Sequence, residues 1–350
     1  MSTNDKTDDI RKLQLTGGST YIISLPKTWI EEMKLERGST LIVSQNNDKS
    51  LNIKARNSPI YQKPKRVVIT IESRDEPQSI IRRLVSTYLN GYNIIDIRSS
   101  NNRIAPEKRS AIKNFVRKKL IGTEILSDLP NELTLQILLS YSELSIKDAL
   151  RRMSTIAASM HRDSIQTLSN ENPRIAKEIL NMDDDVDRFS FYVMRLLNVA
   201  IMNVQVLKEG GIADPQKHLG YRLITKSIER MADHATKIAE NRLSLQSVPV
   251  NDEILKVLNS LSKAALKVFE DAIEALLSED YAAADQVMHY AEETRNMGNE
   301  VIHKMIKLAP LEDILQLRLI VESIIRISEY GADIAEITLN IMLGQVTIEE

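Results

Sequence analysis

Glu229-Arg-Met-Ala-Asp233-His-Ala-Thr-Lys-Ile-Ala239 decides how this chain is read, because a variant of it, Glu329-Tyr-Gly-Ala-Asp333-Ile-Ala335, stands 100 residues further on. Ile224, Glu229, Ala232, Asp233 and Ala235 recur as Ile324, Glu329, Ala332, Asp333 and Ala335. In each copy, apolar residues three and four apart draw one face of a helix, and two carboxylates stand a turn apart beside it. Upstream, a shift of 109 aligns Leu168-Ser169 with Leu277-Ser278, and the acidic group at 183–187 with 292–296; an extra loop near 210–220 accounts for the change of shift. Repetition of this kind in helical sequence means two copies of one supersecondary unit packed against each other.

From Leu144 onward the helical period persists, with breaks near Pro173, Gly210-Gly211, Pro215, Pro249 and Pro310. Six helices of roughly 25 to 35 residues are expected, in an elongated antiparallel bundle with repeats at about 144–245 and 250–345. Ahead of them, residues 66–140 alternate in type. Runs at 67–71, 93–97, 123–126 and 133–138 read as strands and those at 77–89 and 106–120 as helices, so a small α/β domain is expected. Residues 1–57 hold short apolar runs (Tyr21-Ile22-Ile23, Leu41-Ile42-Val43 and Leu51-Asn52-Ile53), turns at Gly17-Gly18 and 45–50, and one short helix at about 27–34. The fold class is therefore multidomain and mainly α, with a β domain first, an α/β domain second and paired three-helix units last.

Composition narrows the chemistry. A chain of 350 residues is too long for one core, and without cysteine it makes neither disulfides nor thiolate sites, so any metal must be held by oxygen or imidazole. Residues 1–9 lack the basic-then-apolar order of a secretory signal, and Arg195, Glu322 and Arg326 interrupt the most apolar stretches; a cytoplasmic chain without membrane insertion is expected. Basic residues outnumber acidic ones up to Arg66, whereas carboxylates gather in the helical part, so the two ends should meet different partners.

Acidic pairs four apart are commonplace on solvated helices. Here Asp183 with Asp187, Glu229 with Asp233, and Glu329 with Asp333 lie in an Ala- and Ile-rich setting and recur between repeats, with Glu292 and Asn296 in the remaining equivalent place. Carboxylates so placed are costly unless hard or borderline cations (iron, manganese, magnesium or zinc) relieve them. His234 points about 100° away from Asp233 and is assigned a capping or surface role. Glu300 and His303 have Glu-x-x-His spacing, but a di-metal oxidase centre needs a second copy, and no enzyme activity is expected.

With these motifs, the helical part resembles the PhoU family. That resemblance implies two three-helix bundles, multinuclear metal clusters on one face, and regulation of phosphate uptake through a transporter ATPase or a signalling kinase. Arg11-Lys-Leu-Gln-Leu-Thr16, Ile22-Ile-Ser-Leu-Pro-Lys27 and Glu36-Arg-Gly-Ser-Thr40 resemble the AbrB/SpoVT swapped-hairpin family, which implies a homodimeric β-barrel that contacts DNA. Arg11, Lys12, Lys27 and Arg37 are the candidate phosphate contacts, with Lys54 and Arg56 behind them. Trp29 is assigned to packing. The alternative is a non-DNA-binding adaptor that uses the hairpin only to dimerise.

Overall fold

The computed structural model describes residues 10–45, 49–55, 64–100, 103–141, 143–169, 173–202, 206, 209–212, 217–245 and 250–343. The chain divides into two compact units, Met1–Pro64 and Lys65–Glu350.

In the first unit, β1 (Gln14–Thr16) and β2 (Thr20–Ile22) pair antiparallel around Gly17 and Gly18, both at positive φ, where a Cβ would strain the turn. Pro26 precedes the short helix α1 (Lys27–Glu32), and β3 (Leu41–Gln45) pairs with β4 (Leu51–Ala55). The register Leu41 to Ala55, Val43 to Ile53 and Gln45 to Leu51 puts most of that hairpin's apolar side chains on one face. Yet Val43 is 57% and Leu51 66% exposed, and Leu15, Tyr21 and Ile23 are also open. Trp29 is half-buried. Arg56 lies outside the described residues.

The second unit begins with a four-stranded sheet, β5 (Arg66–Ile71), β6 (Ile94–Ser99), β7 (Thr123–Leu129) and β8 (Glu132–Ile137), in the order β5-β6-β8-β7. Parallel β5 and β6 are joined through α2 (Pro77–Leu89), and α3 (Pro106–Lys119) leads into the β7–β8 hairpin. Alternate strand residues, Ile69, Ile71, Ile95, Ile97, Leu133 and Leu135, form a core with Ile80, Leu84, Tyr88, Ile112 and Val116 of the helices. Asp96 is fully buried, and it accepts from Arg66 Nε and Nη2 (2.6 and 3.0 Å) and Thr134 Oγ1 (3.0 Å).

Six long helices follow among the described residues: α4 (Ile146–Gln166), α5 (Pro173–Met202), α6 (His218–Leu243), α7 (Asp252–Ser278), α8 (Tyr281–Leu308) and α9 (Ile314–Met342). At 21 residues, α4 is shorter than the expected range. The break between α7 and α8 contains neither Pro nor Gly; Glu279 turns left-handed there and the Asp280 carboxylate caps α8 by accepting from Ala283 N. Helices α4, α5 and α6 pack together, as do α7, α8 and α9, while α6 also packs on α9 and α4 on α7. The two three-helix units thereby share one continuous apolar core. At one crossing the backbones nearly touch: a Cβ at Gly331 of α9 would stand 2.9 Å from Phe269 N of α7.

One face of α5 carries the α/β domain. Asp184, Asp187, Phe191, Arg195 and Asn198 recur at helical spacing along it. Lys118 and Lys119 pair with the first two, Phe115 lies 6.1 Å from the Phe191 ring, and Arg195 and Asn198 donate to the Tyr88 and Leu89 carbonyls at the end of α2.

Candidate cation site on the helical module

Asp183 and Asp187 lie a turn apart on α5, Glu229 and Asp233 a turn apart on α6, and all four are half-buried where these helices pack. They are close enough to act on one another. Burial pushes the Asp183 carboxyl up to about 6, with Asp187 and Asp233 adding to the rise. Asp233 is likewise raised, first by burial and then by Glu229, with Asp187 contributing less.

Cations are already drawn in. Lys119 Nζ sits 2.6 Å from Asp187 Oδ2 and 2.8 Å from Asp184 Oδ1, and Lys118 Nζ is 3.1 Å from Asp184 Oδ2. Burial disfavours the Lys119 ammonium, but its bonds to the two aspartates more than offset this and raise its pKa. Asp184 shows the counterpart: burial opposes its charge, and the two lysines still hold it below the usual carboxylate range. Lys226 Nζ is 2.5 Å from Glu229 Oε2.

The second repeat is built differently. Arg326 Nη1 lies 2.7 Å from Glu329 Oε2, at the place equivalent to the Lys226–Glu229 pair. Asp333 is exposed, though partial burial and the neighbouring Glu336 and Glu329 still raise it, against Arg230 and Arg326. Glu292 and Asn296 are exposed on α8. His234 is half-buried rather than on the surface: its ring centroid is 5.7 Å from that of Tyr330, Nδ1 is buried without a hydrogen bond, and burial lowers its pKa to about 4. Glu300 and His303 are exposed.

Among the described residues, no three His, Asp or Glu side chains converge closely enough to hold one ion. In the first repeat the carboxylates turn to lysines instead. The donor chemistry there still fits a hard or borderline cation, with four carboxylates on two packed helices, of which Asp183 and Asp233 have ionised forms that burial and neighbouring carboxylates disfavour. In the second repeat the arrangement fits less well, because Glu292, Asn296 and Asp333 are solvated. Spacing on α5 and α6 indicated the carboxylates; it missed Asp184, Lys118 and Lys119, whose hint was the Arg117-Lys118-Lys119 run closing α3.

In the first unit, Arg11, Lys12, Lys27, Arg37 and Lys54 are all exposed, and Lys27 Nζ lies 3.6 Å from Glu31 Oε1.

Residues 150–241 and 258–338 match the PhoU domain, and residues 14–61 match the antidote-toxin recognition domain of MazE, a bacterial antitoxin. Similar proteins include the phosphate-specific transport system accessory protein PhoU homolog 1 of Thermotoga maritima, 23% identical over 45% of this chain and 66% of that protein. The corresponding homolog of Borreliella burgdorferi is 23% identical over 57% of this chain and 92% of that protein. Among solved structures, the phosphate transport system regulatory protein PhoU of Streptococcus pneumoniae aligns with a TM-score of 0.49 and 16% identity, covering 59% of this chain and 96% of that one. No described helix is long and apolar enough to cross a membrane.

Proposed function

Since this chain carries two PhoU domains behind a MazE-like hairpin domain, we propose that it is a phosphate-responsive transcriptional regulator. In this reading a homodimeric hairpin unit binds DNA and the helical module binds metal ions. The observation that carries it is the joining, in one chain, of an open basic hairpin to a half-buried carboxylate set. Exposed Arg11, Lys12, Lys27 and Arg37 suit phosphate contacts, which give nucleic-acid affinity its salt dependence.

Asp183, Asp187, Glu229 and Asp233 are the residues that would hold a cation, iron, zinc, manganese or magnesium, and Glu329 with Asp333 are the second-repeat candidates, joined by Glu292 and Asn296. A bound cation supplies positive charge that relieves their mutual repulsion. The chain's own contribution is to fix the pairs on packed helices, so that occupancy alters how α5 and α6 meet their neighbours. The reading is of a cytoplasmic, non-enzymatic regulator.

A second reading is a PhoU-type adaptor that acts on a phosphate transporter ATPase or a signalling kinase and uses the hairpin only to dimerise. It is favoured by the exposed apolar side chains of the hairpin unit, Leu15, Tyr21, Val43 and Leu51 among them, which suit self-association. Mobility shifts on DNA upstream of the chain's own gene and of phosphate-transport genes, across salt and with and without chelator, separate the two. Specific, salt-sensitive shifts lost in Arg11→Ala/Lys12→Ala support the regulator; their absence under every condition supports the adaptor.

A further inference from the structure

Lys119 ends a helix of the α/β domain, yet its ammonium lies among carboxylates of the helical module, 19% exposed and bridging Asp187 and Asp184 at 2.6 and 2.8 Å. Asp183 also feels it. We propose that Lys119 is a tethered counter-ion for the first carboxylate set, so that a divalent cation and the docked end of α3 compete for the same negative charge. This rests on the reading of Asp183, Asp187, Glu229 and Asp233 as a cation site.

A dication placed beside a fixed ammonium meets strong like-charge repulsion in a half-buried setting, so one of the two must yield. Lysine can yield without unfolding its helix, because the ammonium rides on a flexible four-carbon stem. Among the described residues the second repeat has no such device: the charge beside Glu329 comes from Arg326 on the same helix, and that acting on Asp333 comes from Arg230 and Arg326 within the module. Lys118 differs too, since it reaches only the outer Asp184 and is 60% exposed. Competition of this kind is reciprocal: whatever shifts the α/β domain away from α5 strengthens cation binding by the same factor with which the cation loosens the domain.

The test is calorimetric titration of the full chain with Mn2+ alone, for the parent and for Lys119→Met, Lys119→Arg and Lys118→Met, with hydrogen exchange read in the last turn of α3. Lys119→Met should bind at least about fivefold more tightly, the lower edge of usual coupling between sites. Lys119→Arg and Lys118→Met should stay near the parent, and Mn2+ should speed exchange at residues 116–119 of the parent. Saturable binding that Asp187→Asn weakens, with equal affinity in the parent and Lys119→Met, would overturn the competition and leave the site standing. An equal gain in Lys118→Met would reduce the effect to net charge and also overturn it. No saturable binding by any of these chains would remove both the site and the competition.

Discussion

Arg195, fully buried about two turns from the end of α5, donates from Nη1 to the Tyr88 carbonyl at the end of α2 and lies 4.9 Å over the Tyr88 ring. A cation at a helix C-terminus meets the negative end of the helix dipole, which is why a guanidinium persists here without a carboxylate partner among the described residues. Asn198 completes the cap by donating to Leu89 O at 3.0 Å.

Removing that guanidinium should cost about 3 kcal/mol in Arg195→Ala, through the cavity it leaves and the loss of its bond to a carbonyl that then keeps only backbone donors such as Gly91 N. Arg195→Met should cost less, because it fills the space and also removes Nε and Nη2, which are buried without hydrogen bonds. Urea unfolding midpoints of the two variants check the order, and an Arg195→Met variant as stable as the parent would refute the capping account.

His161 on α4 is fully buried, with Nε2 2.8 Å from Ser262 Oγ on α7, and burial lowers its pKa to about 4 against an ordinary 6.5. Between these values the unfolded chain binds more protons, so this residue's contribution to stability is intact above pH 6.5 and is lost as pH falls towards 4. The loss is on the order of 3 kcal/mol. Asp183, raised to about 6, acts in the opposite sense over part of the same window. The check is therefore the difference in pH dependence between the parent and His161→Gln, which should be flatter.

Val43 sits on the apolar face of the β3–β4 hairpin and is 57% exposed in the single chain. If a second copy covers that face, Val43→Asp should convert a dimer to a monomer in sedimentation velocity while the helical signal is retained. An unchanged dimer would place the self-association elsewhere.

Asp183→Asn removes a charge that burial, Asp187 and Asp233 all oppose. In chelator at neutral pH the variant should melt about 2 °C or more above the parent. Added Mn2+ should then raise the parent's melting temperature more than the variant's. A variant less stable than the parent in chelator would show that Asp183 is held by favourable contacts instead.

How much of this could be read from sequence depends on the range of each contact. Helix α2 was expected at 77–89 and is found there, because Pro77 opens it and the apolar period runs unbroken to Leu89. The carboxylate pairs were legible for the same reason, being a turn apart on one helix. The break before α8 was not, since a left-handed Glu279 and a capping Asp280 replace the usual Gly or Pro. Nor was the bridge from Lys119 to Asp187, which spans 68 positions that no local spacing connects. The solvated state of Glu292 and Asn296 was likewise hidden, because equivalence between repeats fixes position along a helix but not what packs over it.

The face of α5 running from Asp184 to Asn198 works as a ruler. One residue inserted between Asp187 and Arg195 would turn everything beyond it by about 100°, parting the grip on α2 from the grip on α3. Natural variants of this chain should therefore change length in the connections between helices and leave this span of α5 at constant length.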